Sequence, residues 1–171
     1  MEAALASGDV DAVRRLLTGG KSVPPPLSAS NNLFHGRHWL KLQLASGLAV
    51  ELLQYRVMGK VVWPAAHALA ELLLESASEK APEERCAAFV EVAAGAGLPS
   101  LVAASSTCGG AFGRVVATDF TEEQVQLLDA NDERNGRRFA ATATLDLTSE
   151  DAAAELARLT PDAGTVVLAA C

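Results

Sequence analysis

The chain has 171 residues, half of them hydrophobic and a fifth charged, with a formal net charge of −7. That length suits one ordinary domain with a short appendage, and the balance is globular rather than disordered. The acidic surplus argues against an electrostatic nucleic-acid or anionic-membrane partner, and no stretch reaches the roughly 18 unbroken apolar residues of a membrane span. The start, with Glu2, Asp9 and Asp11, has neither the basic nor the apolar segment of a signal peptide. Cys86, Cys108 and Cys171 are odd in number and widely spaced, which suits neither a disulfide framework nor a zinc site. A reducing, intracellular setting follows: the cytoplasm, with the nucleus also open to it.

Residues 1–32 read as a helical leader and a linker. Val10, Val13 and Leu17 share one helical face, Asp9 is a plausible cap, and Gly19-Gly20 a stop. The run from Gly8 to Leu17 resembles half an ankyrin repeat, but no second copy follows. Pro24-Pro25-Pro26 centres an extended linker. The main domain then spans 33–171. Trp39 to Leu44 alternates, with Leu40, Leu42 and Leu44 on one side, and Val50 to Val57 reads as the returning strand of a hairpin turning near Gly47. Pro64 suits a first helical position, with Ala68, Leu69, Leu72 and Leu73 expected on the apolar face.

From Cys86 onward, strand and helix patterns alternate. Strand Cys86–Val92 breaks into the small-residue loop Ala93-Ala94-Gly95-Ala96-Gly97, and a helix opens at Leu98-Pro99. Strand Arg114–Thr118 closes on Asp119, and Thr121-Glu122-Glu123-Gln124 is a capping-box pattern for the next helix, which stops at Asn135-Gly136. Strand Phe139–Leu147 follows, then a helix capped by Thr148 or Ser149, then strand Thr165–Ala170. Repeated β-α order implies an α/β fold: a parallel sheet with helices on both faces.

In such a sheet, ligands sit outside the carboxyl ends of the strands. The glycine loop would bring free N–H groups and a helix dipole to a ligand's polar groups. Asp119 can accept from both ribose hydroxyls, and Asp146 from an adenine amino group with Leu147 on the ring. Glu91 can orient the loop or accept from a ligand's cationic amine. Each acid alone also reads as an ordinary turn or cap residue. Trp63 reads equally as core packing and as a cofactor contact. His35 and His38 have no third metal ligand nearby, and no metal site is expected.

Val61-Val62-Trp63-Pro64-Ala65-Ala66, Glu91 to Gly97, Ala117-Thr118-Asp119, Leu127 to Gly136 with Asn131 and Asn135, Leu145-Asp146-Leu147 and Val167-Leu168-Ala169-Ala170 follow one order and spacing. In that order the chain resembles the seven-strand, S-adenosylmethionine-dependent protein lysine methyltransferases, over roughly residues 38–171. The Trp-Pro ahead of the glycine loop argues against a nicotinamide dehydrogenase. The resemblance implies a Rossmann-like sheet that binds S-adenosylmethionine and methylates a lysine on a protein. By position it implies that Trp63 and the loop at Ala93, Ala94, Gly95 and Gly97 contact the cofactor, with Glu91 beside them. It implies that Asp119 binds the ribose, Asp146 and Leu147 flank the adenine, and Ala170 lines the methionine end. It assigns no catalytic residue.

Three positions depart from the pattern. Ala93 stands where family members usually carry Gly, and Leu147 where they usually carry Trp. Cys171 stands where an acidic residue and then three more strands would follow. The sequence therefore reads as a domain shortened after its fourth parallel strand. The last strand would be an apolar edge prone to self-association. A shortened, non-catalytic relative that binds cofactor or a partner protein is the alternative reading.

Overall fold

A computed structural model describes residues 38–54, 62–79, 85–160 and 166–170. The expected leader and linker over 1–32, and the end of the returning hairpin strand, lie outside the described residues.

Strands β1 (His38–Gln43) and β2 (Ala49–Gln54) pair antiparallel, with Leu40 opposite Leu52 and Leu42 opposite Val50. Leu42, Leu44, Val50 and Leu52 are buried while Lys41 and Gln43 are exposed, so the alternation in sequence becomes two unlike faces. Helix α1 (Pro64–Glu79) starts on its proline, as expected. Of its expected apolar face, Ala68 and Leu73 are buried and Leu69 packs against the core, together with Ala66, Ala70 and Leu74; Leu72 is the correction, at 40% exposed. Packing against the next helix, α2 (Leu98–Ala103), rotates the buried stripe away from Leu72.

The main sheet consists of β3 (Ala88–Val92), β4 (Val115–Asp119), β5 (Ala141–Thr144) and β6 (Val166–Ala170). All neighbours run parallel, in the order β5-β4-β3-β6. The chain thus begins in the middle, builds two strands to one side, and returns to the other side of β3. The C-terminal ends of β3 and β6 flank the point where the winding reverses. With the right-handed crossovers that parallel strands favour, this order implies α2 and α3 (Glu122–Arg134) on one face and α4 (Ala152–Leu159) on the opposite one. β5 is shorter than the sequence suggests, because Phe139 gives its amide to Asp132 Oδ1 (3.1 Å) rather than to a neighbouring strand. The cap of α4 also differs: Asp151 holds the N-cap position without a side-chain bond. Thr148 is instead used by Asp146.

Phe89, Leu98, Leu101 and Val102 lie in one core with Leu52 of the hairpin and Leu73 of α1. Asn131 on α3 and Asn135 at its C-cap, one turn apart, fasten the hairpin to this core. Asn131 Oδ1 accepts the Leu53 amide (2.5 Å), and its Nδ2 donates to the Leu53 carbonyl (3.1 Å). Asn135 repeats the pattern on Glu51, accepting its amide (3.2 Å) and donating to its carbonyl (2.7 Å). Four helical residues rise about 6 Å and two strand residues about 6.8 Å, so a helix can present carboxamides to alternate peptides of a strand edge. Glu51 also pairs with Lys41 (2.7 Å) and Arg134 (2.5 Å), which hold its carboxyl below the ordinary range. The Arg134 guanidinium lies 5.3 Å from the centre of the Trp39 ring.

Candidate functional site

The register brings four strand ends to one rim. Val92 lies opposite Ala170, and Asp119 opposite Thr144, two residues before Asp146. The Leu145 amide reaches back to the Asp119 carbonyl (2.8 Å), so the chain leaves β5 still tied to the end of β4. The loop after β3 is tied to the same place. Ala94 donates its amide to the Thr118 carbonyl (2.9 Å), and Gly95 donates its amide to Asp119 Oδ2 (2.7 Å). Asp119 Oδ1 accepts the Phe120 amide (2.7 Å), and the residue is 3% exposed.

Within the loop the chain turns through three left-handed residues: Ala93 (φ 52°), Gly95 (φ 55°) and Gly97 (φ 77°). Ala93 is exposed and Gly95 half-buried, so these two present surface at the rim. Ala94 is buried against Ala117 and Leu128. Gly97 is buried as well, and a Cβ there would stand 2.6 Å from Leu128 Cδ2. The Gly97 position therefore serves close packing of the loop on α3.

The amides expected to meet a ligand are largely used inside the protein. Besides those of Ala94 and Gly95, the Gly97 amide goes to the Ala94 carbonyl (2.8 Å). In the first turn of α2, the Ser100 amide (2.9 Å) and hydroxyl (2.6 Å) both donate to Glu91 Oε2. Glu91 thus clamps the strand before the loop to the helix after it, which is the loop-orienting role. Its side chain has no exposed surface, and its Oε1 has no hydrogen-bond partner. Burial pushes the Glu91 carboxyl up to about 7, against the lowering effect of the Ser100 hydrogen bonds.

Asp146 Oδ1 accepts both the amide (2.8 Å) and the hydroxyl (2.6 Å) of Thr148, a tight local turn that lowers its pKa. Leu147 beside it is 60% exposed. Phe120, directly after Asp119, is also 60% exposed and was not singled out by the sequence. An aromatic next to a strand-end acid was the available signal. Trp63 is 44% exposed, which rules out full burial in the core. The backbone of Ala170 closes β6 opposite Val92. His38 hydrogen bonds to the Gln54 side chain (2.8 Å), and His35 lies outside the described residues.

Asn131 is the participant that composition hides. It is fully buried, and besides holding Leu53 its Nδ2 donates to the Ala96 carbonyl of the loop (2.9 Å). A polar residue mid-helix ordinarily reads as a solvated one; here its place in a spaced Asn pair was the clue.

The profile of a family described as lysine methyltransferase matches residues 45–159, well over half of the chain. No curated protein matches the sequence. Among solved structures, a Streptococcus mutans protein assigned as a SAM-dependent methyltransferase is similar, with 12% identity and a TM-score of 0.47. The match covers 73% of this chain and 30% of that one, so this chain spans about a third of that protein's length. With the matched segment running from the hairpin through β3, β4 and β5 to α4, the chain belongs to the lysine methyltransferase family.

Proposed function

We propose that this chain binds S-adenosylmethionine at the rim formed by the ends of β3, β4, β5 and β6, and that it serves methyl transfer to a lysine on a protein. The observation that carries this reading is the Asp119–Gly95 bond, which places a strand-end carboxylate against the small-residue loop of the neighbouring strand. Each Asp119 oxygen accepts one backbone amide and keeps a lone pair, so the carboxylate suits a vicinal diol such as that of ribose. Phe120 and Leu147 offer exposed apolar surface for a flat base, and Asp146 Oδ2 remains an acceptor for its amino group. Glu91, held by Ser100 and without exposed surface, serves the site by orienting the loop. Trp63, Ala93, Gly95 and the end of β6 at Ala170 complete the proposed contacts, while Ala94 and Gly97 support the loop from below.

When bound, the cofactor supplies a methyl carbon on a sulfonium. The protein's part is to hold that carbon in line with an amine and to keep water away. The net charge of −7 favours a cationic cofactor and a lysine-bearing partner. A reducing cytoplasmic setting suits the buried thiols of Cys86 and Cys108. Among the described residues no helix is long and apolar enough to cross a membrane.

Calorimetry with S-adenosylhomocysteine tests the reading. One-site binding supports it, and binding of NAD in its place overturns it. A tritiated-methyl assay on a cell lysate then separates an enzyme from a cofactor-binding module without transfer.

A further inference from the structure

We propose that Asn131 is a positioning residue for the cofactor loop, linking its conformation to the docked hairpin through a single carboxamide. The inference rests on the reading of the Ala93–Gly97 loop as cofactor-binding. Three contacts converge on one side chain: the Leu53 amide at 2.5 Å, the Leu53 carbonyl at 3.1 Å and the Ala96 carbonyl at 2.9 Å. A carboxamide has two donors and an acceptor oxygen, so these bonds use both of its donors. Asn131 is fully buried, and no water can replace a lost bond at once.

The Ala96 carbonyl is the end of the loop remote from Asp119. Asp119 holds Gly95 from one side, and Asn131 holds Ala96 from the other. Two adjacent residues of the loop are thus fixed by side chains from β4 and α3. The other end of the same carboxamide is pinned by both polar groups of one β2 peptide position. Undocking the hairpin would free the Asn131 amide to rotate, and the Ala96 carbonyl would lose its donor. Asn135 supplies an internal control. It holds Glu51 with the same pair of bonds, and its remaining bond goes to the Asn131 carbonyl (2.7 Å) rather than to the loop.

The test compares Asn131→Ala, Asn131→Asp and Asn135→Ala in the full chain. Asn131→Asp keeps the acceptor for the Leu53 amide and loses the donors to both the Leu53 and the Ala96 carbonyls. Affinity for S-adenosylhomocysteine, corrected for the folded fraction, should fall about tenfold in both Asn131 variants and less than about threefold in Asn135→Ala. Amide exchange at Gly95 and Gly97 should quicken in the Asn131 variants alone. Equal losses in all three, or unchanged affinity and exchange in the Asn131 variants, would overturn the proposal. If the unaltered chain binds no S-adenosylhomocysteine, the cofactor reading fails, and the exchange rates alone decide whether Asn131 orders the loop. If the Asn131 variants do not fold, the unaltered chain decides. Gly95, Gly97 and Leu53 amides should then share one opening free energy across denaturant, and independent openings would refute the link.

Discussion

Gly95 donates its amide to Asp119 at 2.7 Å, so the acid proposed to hold the ribose also holds the loop beside it. Two roles in one carboxylate give Asp119→Ala two effects. The amides of Gly95 and Phe120 lose their acceptor at a site that is 3% exposed, which destabilises the fold by about 1–3 kcal/mol. Affinity for S-adenosylhomocysteine should weaken by a further ~1–3 kcal/mol, read by calorimetry at a temperature where the variant is folded. Asp119→Asn keeps one acceptor oxygen and should lose less of both. Unchanged affinity would take Asp119 out of the site.

Ala93 occupies a left-handed conformation, φ 52°, where a Cβ is unfavourable. Glycine there removes the steric cost but brings more freedom to the unfolded chain. The steric effect is the larger, so Ala93→Gly should stabilise the protein by about 0.5–1 kcal/mol. A thermal melt should show a rise of ~1–4 °C at this chain length. A fall would mean that the Ala93 methyl makes contacts worth more than its strain.

The strand–helix order and the strand-end acids were legible because period and turn chemistry are local. Asp119 lies where a buried run meets a helix cap, and Thr121 does accept the Gln124 amide (3.3 Å), as its capping-box pattern predicts. What the sequence hid depends on neighbours distant in the chain. Gly97 looks like a ligand-facing glycine, and only the position of Leu128, 31 residues later, shows that it serves packing. The direction of Glu91 was equally open until Ser100 fixed it. Asn131 became visible as a hub only when β2 and the loop were seen on the same side of α3.

Gly97 makes that lesson measurable. Gly97→Ala places a Cβ 2.6 Å from Leu128 Cδ2 and forces alanine to φ 77°. Leu128 is fully buried and has little room to yield. The single change should cost about 2–4 kcal/mol in urea unfolding, part backbone strain and part overpacking. In a Leu128→Ala background the clash is gone and only the backbone part, ~1–2 kcal/mol, should remain. Equal costs in both backgrounds would show that the loop does not rest on Leu128.

Glu91 gives the fold a pH dependence opposite to that of a salt-bridged acid. Its folded value, about 7, lies above the ordinary 4.5. Between those values the folded state holds a proton that the unfolded state has released. Its contribution is therefore intact below pH 4.5 and is lost as pH rises to about 7. The loss amounts to about 3 kcal/mol, because each tenfold difference in proton affinity between the two states is worth about 1.36 kcal/mol. Glu91→Gln cannot ionise, so its stability should fall less than that of the unaltered chain over this range. Parallel stability curves from pH 4 to 8 would show that Glu91 ionises alike in both states.

The last strand of the sheet predicts how the chain behaves in concentrated solution. β6 pairs with β3 on one side, and among the described residues no strand lies on the other. Its residues, Val166-Val167-Leu168-Ala169-Ala170, carry no charge and no proline to discourage a visiting strand. A strand edge of this kind can accept a second copy through backbone bonds alone, without side-chain complementarity. Sedimentation velocity over a hundredfold concentration range should show a sedimentation coefficient that rises with concentration. A single monomer boundary throughout would count against self-association through this edge, since backbone pairing between copies must grow with concentration.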